Sequence, residues 1–164
     1  MRKLFAILLL TPLLTFAQED EECIFDRATQ TDEFVRSVPE LSNYTWNNET
    51  KEATITLPNN ETLVAQRGGC VHFGISGTLI TDNETDFDDL NYWLNRSLWI
   101  AERLFSANDF QTVKASIEDK TYSMPMPDGS TLYILFPHDY YSEFAITLKR
   151  NKGRVELYIG YYFG

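Results

Sequence analysis

The sequence predicts an α+β fold, in which one small domain packs an antiparallel sheet against a helical hairpin. Two blocks of strand-like alternation flank a central pair of helices, in the order α–ββββ–αα–ββββ. Helices do not alternate with single strands, as a parallel sheet would require, so the sheet should be largely antiparallel. Residues 23–164 have the length of one domain rather than two.

The first 17 residues have the three parts of a secretory signal peptide. Arg2 and Lys3 precede an apolar run at residues 4–14, and Ala17 supplies the small residue expected before the cleavage point. This run is shorter than the roughly 20 apolar residues that a membrane-spanning helix needs. We therefore expect removal of residues 1–17, an acidic disordered stub at residues 18–22, and an exported domain at residues 23–164, periplasmic or secreted and without an integral membrane segment.

The chain is strongly acidic, which limits its partners. It contains 24 acidic and 14 basic residues, a net charge of −10, and loss of the signal peptide would make this −12. Such a domain repels nucleic acid and anionic membrane surfaces and attracts basic proteins. The same charge also fits an exported protein that simply remains soluble.

Cys23 and Cys70 are the two cysteines of a chain expected in an oxidising compartment. We expect them to form a disulfide, with their Cα atoms about 4.4–6.8 Å apart. The alternatives are a reactive thiol or a metal ligand.

The first predicted block is one short helix followed by four strands. Helix-favouring residues at 31–38 end at Pro39. Alternation predicts strands at 44–47, 53–57, 62–67 and 71–80. Gly68 and Gly69 indicate a bulge or sharp bend between the last two.

Two consecutive helices follow. The segment 87–105 is the clearest helix, with Thr85 placed to cap it and acidic residues in its first turn. Ser106 is placed to cap a second helix at 107–118, and Phe105 and Phe110 can form a hydrophobic staple across that cap. The final block is predicted as strands at 122–124, 131–136, 141–150 and 154–163.

His72 and His138 are the candidates for acid–base chemistry. Cys70 and His72 should share one face of the strand at 71–80, which suits catalysis or metal binding only if Cys70 is reduced. Neither a glycine-rich phosphate loop nor a G-x-S-x-G turn is present. We therefore expect no enzyme activity, no cofactor and no bound metal.

Four acidic residues before the long helix are spaced like the first ligands of a calcium loop: Asp82, Glu84, Asp86 and Asp88. A calcium loop needs glycine where this chain has Phe87 and a bidentate glutamate where it has Trp93. We interpret these carboxylates as favourable charges near a helix N-terminus.

The long helix carries an unusual second row beside its apolar stripe. The stripe consists of Phe87, Leu90, Trp93, Leu94, Leu98, Ala101, Leu104 and Phe105, the expected core face. The second row consists of Tyr92, Arg96, Trp99 and Arg103, predicted to lie opposite the core. Trp, Tyr and Arg are typical of binding hot spots, so we predict a partner-binding surface there. Coverage by another layer of the same chain, or arginine stems lying along Trp99, would explain the row without a partner.

These observations favour an exported, non-enzymatic binding module with a basic protein partner, in the manner of an inhibitor or immunity protein. The first alternative is a small secreted hydrolase that uses His72 or His138 with nearby carboxylates. The second is a structural envelope protein.

Overall fold

Seven strands form one antiparallel sheet in the computed structural model, which describes residues 23–82, 87–125, 130–136 and 142–163. The strands are β1 (Tyr44–Asn47), β2 (Glu52–Thr56), β3 (Thr62–Gly68), β4 (Phe73–Thr81), β5 (Thr131–Leu135), β6 (Ser142–Asn151) and β7 (Arg154–Phe163). Their order across the sheet is β1-β2-β3-β4-β7-β6-β5. The two blocks are therefore two meanders, joined where β4 pairs with β7.

Three α-helices accompany the sheet: α1 (Glu33–Arg36), α2 (Leu90–Leu104) and α3 (Ala107–Glu118). Short 3-10 turns occupy Arg27–Thr29, Pro39–Leu41 and Pro58–Asn60. The hairpin of α2 and α3 packs on the sheet, and α2 contacts the central strands β4 and β7. The Ser106 side chain accepts a hydrogen bond from the Asp109 N–H and so caps α3 as predicted. The predicted α+β class and helical hairpin are confirmed.

Several element boundaries differ from the prediction. The helix predicted at 87–105 begins at Leu90, because the Asp89 side chain accepts a hydrogen bond from the Tyr92 N–H and caps it there. Thr85, the predicted cap, lies outside the described residues. The strand predicted at 122–124 is only a single bridge between Ser123 and Leu135, so the sheet has seven strands among the described residues rather than eight.

The predicted strand at 71–80 begins later, at Phe73. Gly69 has φ +155°, and a Cβ atom there would overlap the His72 carbonyl oxygen, so the chain turns sharply before β4. Cys70 and His72 consequently do not lie on a strand, and the expectation that they share a strand face is wrong.

The predicted disulfide is present. Cys23 and Cys70 are bonded, with Cα atoms 4.5 Å apart, and the Phe25 N–H donates to the Cys70 carbonyl at 3.0 Å. The start of the domain is thereby fixed beside the bend that precedes β4. This bond is compatible with an extracellular or periplasmic location. Among the described residues, no helix is both long and apolar enough to cross a membrane.

The core lies between the helices and one face of the sheet. Fully buried side chains from β3, β4 and β7, such as Leu63, Leu79 and Leu157, meet Trp93 and Ile100 of α2. Gly77 on β4 permits this close approach, because a Cβ there would overlap Ile100 Cγ2 and lie 2.9 Å from Leu104 Cδ1.

We predict that Gly77→Ala destabilises the domain by about 1–3 kcal/mol, since the added methyl overpacks the contact between α2 and β4. Urea unfolding followed by circular dichroism would measure this loss. In the Ile100→Ala background the cost of Gly77→Ala should shrink, because the overlapping methyl is gone. Equal costs in the two backgrounds would show that contact with Ile100 is not the cause.

Candidate functional site

The predicted row on α2 lies on the flank of the helix. Its four residues, Tyr92, Arg96, Trp99 and Arg103, are all half-buried. Each directly precedes one of four buried residues, Trp93, Ser97, Ile100 and Leu104, and is therefore turned from it by about 100°. The exposed face carries Asn91, Asn95 and Glu102. The predicted stripe omits Ile100, which is fully buried, and the row is half-buried rather than open to solvent.

Trp99 is flanked by both arginines of the row. The guanidinium carbon of Arg103 lies 4.4 Å from the centroid of the Trp99 ring, and that of Arg96 lies 5.4 Å from it. Both distances fall within the range of cation–π attraction. The tryptophan is thus partly shielded from water by its own neighbours on the helix, without being buried.

The same arginines join α2 to other parts of the chain. Arg96 pairs with Glu61, which immediately precedes β3. Arg103 pairs with Glu102 at 3.1 Å and with Glu40 of the 3-10 turn at 3.7 Å. The Nε atoms of Arg96 and Arg103 are buried without a hydrogen-bond partner among the described residues. The row is therefore part of the intramolecular structure, and its binding role remains a prediction.

Two adjoining pockets form a groove at the C-terminal end of α2. Their volumes are about 300 and 260 Å³, and both are lined by Phe34, Arg67 and Phe73. The second pocket also contacts Arg103, Phe105, Ser106 and Tyr161. We call this the aromatic groove. Arg103 belongs both to the α2 row and to the groove, so the two form one continuous surface.

Two polar features distinguish the aromatic groove. Arg67 is exposed and makes no salt bridge among the described residues. The Tyr161 hydroxyl donates to Asp109 Oδ2 at 2.8 Å, and the Ser106 hydroxyl donates to the same oxygen at 2.6 Å. Burial and the nearby Asp109 carboxylate raise the pKa of Tyr161, while the charge of Arg67 opposes that shift.

The candidates for chemistry are not brought together in the described part of the chain. His72 is exposed, and Cys70 is held in the disulfide. His138 lies outside the described residues, as do Glu84 and Asp86 of the calcium-like series. The Asp82 carboxylate forms a salt bridge with Arg154 at 3.0 Å. Among the described residues, no cluster of three or more metal-ligating side chains occurs.

Comparisons with known proteins give no precedent for this surface. No family model matches the chain, and neither curated proteins nor solved structures gave a significant match. Sequence reasoning missed the aromatic groove because Phe34, Arg67, Phe73 and Tyr161 come from α1, β3, β4 and β7. The one sequence signal for the groove was Arg67 itself, a charged residue in a segment that is otherwise typical of a strand.

We predict that Trp99→Ala lowers the unfolding free energy by about 1–2 kcal/mol, because the removed side chain is only half-buried. Trp93→Ala is the matched control, since Trp93 is 1% exposed and its loss should cost about 3–5 kcal/mol. Chemical unfolding of both variants measures the difference. Equal losses would mean that Trp99 is as important to the core as Trp93.

We predict that the stabilising effect of the Tyr161 hydroxyl decreases at alkaline pH. Because the folded state raises the pKa of Tyr161, its contribution is complete below the ordinary tyrosine value of about 10 and falls as the pH rises above it. Tyr161→Phe should therefore cost roughly 1 kcal/mol at pH 8 and less at pH 11. Unfolding experiments at both pH values test this, with Tyr122→Phe as a control that removes no hydrogen bond seen in the described residues. A cost that stays constant between the two pH values would contradict the prediction.

Proposed function

We propose that this protein is an exported, non-enzymatic binding module that engages another protein. Its acidic character, its disulfide and the continuous surface made by the α2 row and the aromatic groove support the proposal. Export rests on the signal-like residues 1–17, together with the disulfide that an oxidising compartment permits.

The observation that carries the proposal is the environment of Arg67. An exposed guanidinium without an ion-pair partner in the described residues stands in a concave surface lined by Phe34, Phe73 and Tyr161. Arginine and aromatic side chains are the residue types that contribute most to binding hot spots. Aromatic walls lower the local polarity, so a carboxylate that pairs with Arg67 would be partly desolvated and held in a fixed position.

The charge of the whole molecule and the charge of the groove have different roles in this proposal. The net charge of −12 expected for the exported domain attracts a basic partner over long distances and speeds its approach. Arg67, which makes no salt bridge with Glu33 or any other carboxylate among the described residues, then accepts an acidic group of that partner and sets its orientation. An inhibitor or immunity protein directed at a basic envelope enzyme is one concrete form.

We predict that Arg67→Glu weakens partner binding by at least 10-fold, because it replaces the accepting cation with a repelling anion. The partner is first captured from the envelope extract of the source cell with the wild-type domain, and affinity is then measured by calorimetry with purified proteins. Trp99→Ala should weaken the same complex.

Arg154→Glu is the matched control for Arg67→Glu. Arg154 is exposed and lies seven residues along β7 from Tyr161, about 23 Å away in a strand, so the same charge reversal there should leave affinity within about threefold. Equal effects of the two reversals would show that only net charge matters and would refute a groove-centred site. Circular dichroism checks that each variant is folded.

A further inference from the structure

The face of the sheet opposite α2 carries a row of uncharged residues. Successive cross-strand partners from β5 to β2 are Tyr133, Thr147, Tyr158, Thr78, Val64 and Thr54. Their side chains share one face because directly paired residues in an antiparallel sheet point the same way. The row itself is uncharged and rich in hydroxyl groups, and the pair formed by Lys149 and Glu156 lies next to it on the same face.

Two tyrosines on this face lie down along the sheet. Tyr158 and Tyr162 are four residues apart on β7, about 13 Å along the strand, yet their hydroxyl oxygens are 3.1 Å apart. The side chains of Tyr158 and Tyr162 must therefore lean along the strand toward each other. We call this pair the tyrosine platform.

Glycines beneath the rings make that arrangement possible. A Cβ at Gly160 would overlap the Tyr158 hydroxyl, and a Cβ at Gly74 would lie 2.5 Å from Tyr162 Cδ1. Gly74 and Gly160 are buried, whereas Tyr162 is 50% exposed. The sequence thus places small residues where flat aromatic rings need room, and it leaves Tyr162 open to solvent.

We propose that the tyrosine platform binds a neutral, extended oligosaccharide. The face of an aromatic ring is electron-rich and attracts the C–H groups on the flat side of a pyranose ring, which matches it in size. Threonine and tyrosine hydroxyls on the same face can donate to and accept from sugar hydroxyls. Tyr133, 40% exposed and two strands from Tyr158 at about 10 Å, extends the surface for a chain that crosses the strands.

The combination of aromatic rings and hydroxyl groups is what favours a sugar over other ligands. Lys149 and Glu156, the charged residues next to the row on β6 and β7, are directly paired and opposite in sign, so they give this part of the face no net charge that would select a charged polymer. This site is on the opposite face of the sheet from the aromatic groove, so its occupation is independent of the protein partner proposed above.

The test is a titration of the full domain with two neutral hexasaccharides, cellohexaose and N-acetylchitohexaose, by calorimetry and NMR. We expect at least one of them to bind, with chemical-shift changes on β4 and β7. Tyr162→Ala and Thr78→Glu should each weaken binding at least 10-fold, the first by removing a stacking ring and the second by placing a charge in the neutral row. Both residues are on the outer face, so neither change should unfold the core.

Tyr122→Ala is the matched control, because it removes a tyrosine outside the platform and should leave sugar binding unchanged. Arg67→Glu should also leave it unchanged, which separates failure of this proposal from failure of the protein-binding proposal. No binding of either hexasaccharide at millimolar concentration would overturn the inference. Binding that Tyr162→Ala does not weaken, or a protein partner that is lost with Tyr162→Ala, would also overturn it.

Discussion

The pairing of β4 with β7 is the interaction on which the rest of the structure depends. Nine residue pairs, from Phe73↔Phe163 to Thr81↔Val155, join the two meanders into one sheet. Without this pairing, each meander would have one more open edge, and α2 would lose the two strands on which it packs. The pairing is also distant in sequence, so the chain must close a long loop containing both helices before it forms.

This central pair also positions both proposed surfaces. Successive residues of a strand face opposite sides of the sheet, so Tyr161 projects into the aromatic groove while Tyr162 belongs to the tyrosine platform. A one-residue slip between β4 and β7 would exchange the two faces and move Gly74 away from Tyr162. Both surfaces therefore depend on the register between β4 and β7, although they are on opposite sides of the domain.

The sequence was informative where the physical signal is local. Ser106 was recognisable as a cap, and Cys23 and Cys70 as a disulfide, because each inference needs only a residue type and its spacing or compartment. The helix predicted at 87–105 is present but runs from Leu90 to Leu104, and its second row is half-buried because Glu61 and Glu40, which are distant in sequence, contact its arginines. The aromatic groove and the platform were beyond such reasoning, since Arg67 meets Tyr161 only after β3, β4 and β7 are in register.

The arginines around Trp99 show why residue type alone does not define a binding site. Arg96 and Arg103 have carboxylate partners within the chain, and releasing them for an external ligand would leave Glu61 and Glu40 without a counter-charge. Such an exchange gains little, because one ion pair merely replaces another. Arg67 has no salt bridge to give up among the described residues, so a new contact there carries no such loss. A partner on this side of the molecule would therefore obtain most of its ionic specificity from Arg67, with Trp99 and its arginines providing a stable edge against which it packs.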